Sequence, residues 1–127
     1  MTDKTRTKGQ TEAEISEAVI KFEKEYMGRG PLSCRTMIID DLILVRLKGV
    51  LTKAELQLAT SNDFSRGRGL IKTIRAELLE KGRPLLETMI NDILNTKIQS
   101  LHTDISTVSG ERVILFVLEA PVNICKS

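Results

Sequence analysis

At 127 residues, with 41% hydrophobic and 28% charged positions, the chain has the size and composition of one folded domain around a single core. Aromatic residues make up only 3%, with no tryptophan, so Leu, Ile and Val must build that core, and stacking platforms for single-stranded nucleic acid lack material. A formal net charge of +2 is too mild to draw in nucleic acid or a membrane surface by field alone.

Cys34 and Cys125 form no ligand-spaced pair, and the first residues contain no apolar run of the signal-peptide kind. The longest such run, Val113 to Leu118, is too short to span a bilayer. A cytoplasmic, soluble protein with reduced thiols is expected, without direct membrane insertion. Residues 1–10, with Lys4, Arg6 and Lys8 among Thr, Gly and Gln, read as a flexible tail. The single domain is expected over 11–120, with a short tail at 121–127.

Thr11 and Glu14 have capping-box spacing for a first helix. Ile15, Ala18, Val19, Phe22 and Tyr26 then recur at helical period, leaving Glu12, Glu17, Lys21, Glu23, Lys24 and Glu25 for solvent. Gly28, Gly30 and Pro31 end it. Residues 33–39 and 42–48 read as a hairpin turning at Asp40-Asp41, which pairs Ile39 with Leu42, Met37 with Leu44 and Arg35 with Arg46. Both faces of that hairpin are apolar near the turn. A second subunit on one face accounts for this, and helices on both faces within one chain are the alternative.

Gly49 closes the strand, and Thr52 with Glu55 forms another capping box for a short helix over 53–60, burying Ala54 or Leu56, Leu58 and Ala59. Ser61-Asn62-Asp63 breaks it. From Gly69 a long helical pattern runs to Leu94, with a kink or break expected near Lys81-Gly82-Arg83 because Pro84 removes a helix hydrogen bond. A second hairpin follows over 97–105 and 112–119, turning through a three-residue loop at Val108-Ser109-Gly110. Its strand VILFVL has no polar interruption and is expected at the centre of the sheet, buried on both faces. The fold class is therefore α+β: a four-stranded antiparallel sheet from two β-hairpins, in the order α-ββ-α-α-ββ, with one long kinked helix.

Strand alternation puts His102 and Asp104 on one face, within reach of each other or of a shared group, as an oriented imidazole for proton transfer requires. A histidine satisfied by a neighbouring carboxylate or carbonyl is the plainer reading. Like charges directly opposite repel, so Arg35 and Arg46 need an offset, either a protein carboxylate or a bound anion, with Arg29 and Lys48 adding to the field. Arg66, Arg68, Lys72 and Arg75 cluster at the start of the long helix and read as a solvated basic face before a nucleic-acid contact. No phosphate-loop, dinucleotide or metal-ligand pattern is present, so no cofactor, metal or catalytic residue is assigned.

MGRGPLSCRTMIIDDLILVRLKGVLTKAE, ELLEKGRPLLETMI and HTDISTVSGERVILFVLE together resemble the MpsC-like family, named after a Na+-translocating, membrane-potential-generating system. The resemblance spans about residues 12–120. Gly28, Arg29, Gly30, Pro31, Arg46, Gly49, Thr52, Glu55, Arg83, His102 and Asp104 match its pattern. It implies a non-catalytic accessory or regulatory role beside that system, which the family links to inorganic-carbon uptake, with a homodimer and a transport-system subunit as partners. Of the matched positions, Arg29, Arg46, His102 and Asp104 lack a purely structural reason. With Arg35 and Lys48 they are the candidate contacts for a small anion or a partner. A nucleic-acid-binding regulator, or a small enzyme using His102 and Asp104, are the alternatives.

Overall fold

The computed structural model describes residues 7–60 and 64–122, with the side chains of residues 64 and 65 set aside. The expected break at Ser61-Asn62-Asp63, the basic residues Lys4 and Arg6, Cys125 and the tail beyond 122 lie outside the described residues. The elements run α1 Lys8–Tyr26, β1 Ser33–Ile39, β2 Leu42–Lys48, α2 Lys53–Ala59, α3 Phe64–Leu94, β3 Ile98–Ile105 and β4 Arg112–Leu118. The four strands form one antiparallel sheet in the order β1-β2-β4-β3, so the two hairpins join through β2 and β4. Each hairpin follows a helix, and this shared plan gives an α+β fold.

Helix α1 starts one turn before the expected cap. The Thr7 side chain accepts from the Gln10 N–H and the Gln10 side chain accepts from the Thr7 N–H, a capping box that pre-empts the one at Thr11. Thr11, now inside the helix, is buried and donates to the Thr7 carbonyl. The stripe buries Ile15, Val19 and Phe22, while Tyr26 stacks on Phe22 at its partly open end. Glu23, expected in solvent, is fully buried.

The first hairpin has the predicted register throughout, with Asp40 adopting φ +54° at the turn. The second is closed by backbone bonds between Ser106, Gly110 and Glu111, so its loop is wider than three residues, with Gly110 left-handed at φ +73°. Thr52 and Glu55 cap α2 as expected, but only Ala59 of that helix is buried; Leu56 and Leu58 face outward.

Helix α3 begins at Phe64 and runs unbroken through Gly82-Arg83-Pro84 to Leu94, about 46 Å at ~1.5 Å per residue. Packing overrides the local cost of Pro84. Leu79, Leu86 and Ile90 are buried on either side of the proline, and Arg83 pairs with Glu80 and Glu87 across it. Gly82 lies where α1 crosses, and a Cβ there would stand 2.7 Å from the Phe22 ring.

The helices pack on one face of the sheet. That inner face carries Ile38, Ile43, Val45, Leu47, Ile114, Phe116 and Leu118, all buried. Strand β4 is central as expected, but its residues alternate between buried and half-buried, so its second face is open rather than covered. No described helix lies over that side, which rules out the alternative of helices on both faces.

The α2–α3 crossing gives a direct test. A Cβ on Gly67 would stand 2.1 Å from the Leu58 carbonyl oxygen, whereas one on Gly69 meets open space. Gly67→Ala should lower stability by about 2 kcal/mol by overpacking, and Gly69→Ala should raise it by up to ~1 kcal/mol through helix propensity, both read by urea denaturation.

Candidate functional site

The open face of the sheet is organised in rows across the strands. Asp104, Val113, Arg46 and Arg35 form one row, from β3 through β4 and β2 to β1. His102, Leu115, Leu44 and Met37 form the next, and Ser100, Val117, Leu42 and Ile39 the third. Met37, Leu42, Leu44, Val113, Leu115 and Val117 are half-buried and Ile39 is exposed, giving a continuous apolar patch in the middle. Arg35, Arg46 and Lys48 are exposed at one end of it, while the Asp40-Asp41 turn and Glu119 lie at the other.

The predicted site residues divide on this face. Arg35 stands opposite Arg46, and Arg46 takes Glu111 as its carboxylate partner. His102 and Asp104 are in adjacent rows but have separate partners. The His102 ring bonds the Ser100 hydroxyl at 3.2 Å, and Asp104 lies 3.3 Å from the Lys72 ammonium of α3. The Ile105 N–H and then Lys72 hold the Asp104 carboxyl below its ordinary range. Arg29 is remote from the face; it donates to the Leu51 carbonyl at 2.9 Å and pins the loop before α2.

A second constellation lies on the opposite side of the sheet, between it and the helices. Glu23 of α1, Arg75 of α3 and Arg112 of β4 are buried together, with Glu55 of α2 at their edge. Arg75 grips Glu55 with two bonds of 2.7 and 2.9 Å and donates to the Val50 carbonyl at 2.8 Å. Arg112 donates to the Thr103 hydroxyl at 3.0 Å. Between the two guanidinium groups the Glu23 carboxylate stands 3.8 Å from Arg75 Nη1 and 3.9 Å from Arg112 Nε, beyond hydrogen-bond distance. Both Glu23 oxygens and both of those nitrogens lack a hydrogen-bond partner.

Burial raises the Glu23 pKa, and the opposing pull of Arg112 and Arg75 does not cancel it. Burial also works against the charge of Arg112. At Glu55 burial acts in the same upward direction, but the bonds from Arg75 and from Thr52 prevail and hold it low. A cleft of about 190 Å³ opens beside the cluster, lined by Lys72, Arg75, Thr103, Asp104 and Arg112. Among the described residues no group of three His, Cys, Asp or Glu side chains is arranged to hold a metal. Burial pushes the Cys34 thiol up, away from reactive thiolate. No helix of the described residues is long and apolar enough to cross a membrane.

A profile of the family described as "Na+-translocating membrane potential-generating system (MpsC)" matches residues 7–120. The chain belongs to the MpsC family. An uncharacterized protein of Bacillus subtilis (strain 168), YbcI, is 43% identical to this MpsC-family chain over 113 residues, 89% of each chain. No solved structure matches it significantly.

The sequence reading of this MpsC-family chain found the residues of the open face but not the buried cluster. Its signal was present in the apolar periodicity. Glu23 follows Ile15 and Val19 at four-residue steps, Arg75 sits midway between Ile71 and Leu79, and Arg112 alternates with Ile114, Phe116 and Leu118. Each is a single charge in register with a buried stripe, and three such interruptions of opposite sign can satisfy one another. The structure withdraws Arg75 from the basic start of α3 and commits it to Glu55 and Glu23.

Removing one partner of a buried pair strands the other charge. Arg112→Ala should therefore cost about 3 kcal/mol or more, while Arg46→Ala, at an exposed pair, should cost under ~1 kcal/mol, both measured in urea. The pH dependence has opposite signs at the two acids. Glu55 is held below its ordinary 4.5, so its contribution is present above that value and lost as pH falls through the folded pKa. Glu23 is raised above 4.5, so its contribution is fullest below that value and declines as pH rises. The stability difference between wild type and Glu55→Gln should shrink on acidification, and that for Glu23→Gln should shift in the contrary direction.

Proposed function

We propose that this chain is a non-catalytic accessory or regulatory component of the Na+-translocating system for which its family is named, working as a homodimer assembled through the open sheet face. Family membership supports the association with that system. The bare apolar face, in a fold that puts its helices on the other side, carries the dimer reading. Four strands at ~4.8 Å spacing and seven residues at ~3.4 Å give a face of roughly 460 Å² per copy. Two copies together bury roughly 900 Å², below the ~1,200 Å² at which stable specific interfaces begin, so the dimer is weak and concentration-dependent.

The charges favour a second copy over an unrelated occupant. With a two-fold axis through the Leu44–Leu115 region, the Arg35, Arg46 and Lys48 end of one sheet meets the Asp40, Asp41 and Glu119 end of the other. Such a dimer turns both helical layers outward, with Leu56, Leu58, Leu70 and Ile74 exposed there for contact with a partner subunit.

The alternative readings have weaker support. A nucleic-acid regulator draws on the basic start of α3, but Arg75 is committed to Glu55 and Glu23. A small enzyme needs His102 and Asp104 to cooperate, and each has a different partner.

Native mass spectrometry over a concentration range should give a dimer for the wild type and a monomer for Leu115→Lys, with unchanged circular dichroism. Loss of the gene should lower membrane potential, read by a voltage-sensitive dye, and the Leu115→Lys gene should not restore it. A wild-type monomer at every concentration, or an undisturbed potential, contradicts the proposal.

A further inference from the structure

The buried cluster has a polar deficit that protein atoms do not meet. Arg75 Nη1 and Arg112 Nε are donors without acceptors, on side chains only 2–3% exposed, and both arginines line the cleft. Buried donors of this kind are rare, and each one left unmade is costly. Lys72 stands at the mouth of the cleft, half exposed, and Asp104 occupies its ammonium group. Thr103 presents a hydroxyl on the same wall, already engaged by Arg112 and by the Val113 carbonyl. At ~30 Å³ per water, the cleft of about 190 Å³ has room for a small ion with some of its hydration.

We infer that this cleft is a binding site for a small free oxyanion, a carboxylate or an inorganic ion of similar size, held by Arg112, Arg75 and Lys72. Charge balance favours this. Glu23 and Glu55 against Arg75 and Arg112 sum to zero, and Lys72, once Asp104 has left it, adds one positive charge that a monoanion neutralises. At the mouth the anion replaces Asp104 on Lys72, and Asp104, mostly exposed, returns to water. The inference does not rest on the dimer reading: apart from Asp104, on the edge strand β3, the residues that line the cleft are not those of the open face.

The test uses formate, a monoanion of constant charge between pH 5.5 and 7.5, titrated into the full chain while the arginine Nε–H resonances are followed by NMR. The expected result is saturable movement of the Arg112 and Arg75 signals. Lys72→Ala, at a half-exposed position that the fold tolerates, should weaken binding several-fold. Phenylacetate, the same head on a group too large for the cleft, should bind more weakly than formate; tighter binding overturns the assignment to a free ion. Absence of saturable shifts, or shifts confined to Arg35 and Arg46, overturns the site.

Discussion

The buried pairing of Glu23 with Arg75 and Arg112 is the interaction on which the architecture most depends. It joins α1, α3 and β4 at one point, and through Glu55 and the Val50 carbonyl it extends to α2 and to the loop that leads into it. Apolar packing is non-directional and would allow the helices to slide along the sheet. A guanidinium that must meet two carboxylates and a carbonyl allows far less freedom. The arrangement carries a cost, since the Glu23 contacts are too long to be hydrogen bonds and leave polar atoms unsatisfied in the interior.

The two sides of the sheet thus have different characters. The inner side is a closed apolar layer with one charged defect. The outer side is apolar in the middle, with Arg35, Arg46 and Lys48 beside Glu111 and Asp104 at one end and Asp40, Asp41 and Glu119 at the other, and no element of the described residues covers it. A sheet that were simply solvated on its outer side would alternate apolar and polar residues along β2 and β4. Here Leu42, Leu44, Val113, Leu115 and Val117 stand where polar residues are expected. The family's description concerns a membrane potential-generating system, and the fold presents two apolar surfaces, the open sheet face and the exposed Leu56, Leu58, Leu70 and Ile74 of α2 and α3.

Much of the fold was legible in the sequence because short-range signals and tertiary packing agree. The Asp40-Asp41 hairpin, the Thr52 cap, the left-handed Gly110 and the central place of β4 all follow local pattern. Legibility failed where distant residues decide the outcome. The burial of Glu23 depends on arginines 52 and 89 positions away, and the choice between a kink and a break at Lys81-Gly82-Arg83, open in the sequence, falls to one continuous helix where α1 crosses at Gly82. The start of α1 was missed for a local reason: Thr7-x-x-Gln10 and Thr11-x-x-Glu14 are competing caps, and the earlier one wins by adding a turn of helix. At the candidate sites, the residues of the open face could be named in advance, but the separate pairings of His102 with Ser100 and Asp104 with Lys72 could not.

The central claim, that two copies meet face to face with the basic end of one on the acidic end of the other, is most directly tested by charge exchange. One variant carries Arg35→Glu and Lys48→Glu, and the other carries Asp40→Lys and Asp41→Lys. Sedimentation of each alone should show monomer, because like ends now oppose, and an equimolar mixture should sediment as a heterodimer. Dimers that persist in both single variants, or a mixture that stays monomeric, would contradict this arrangement of the two sheets.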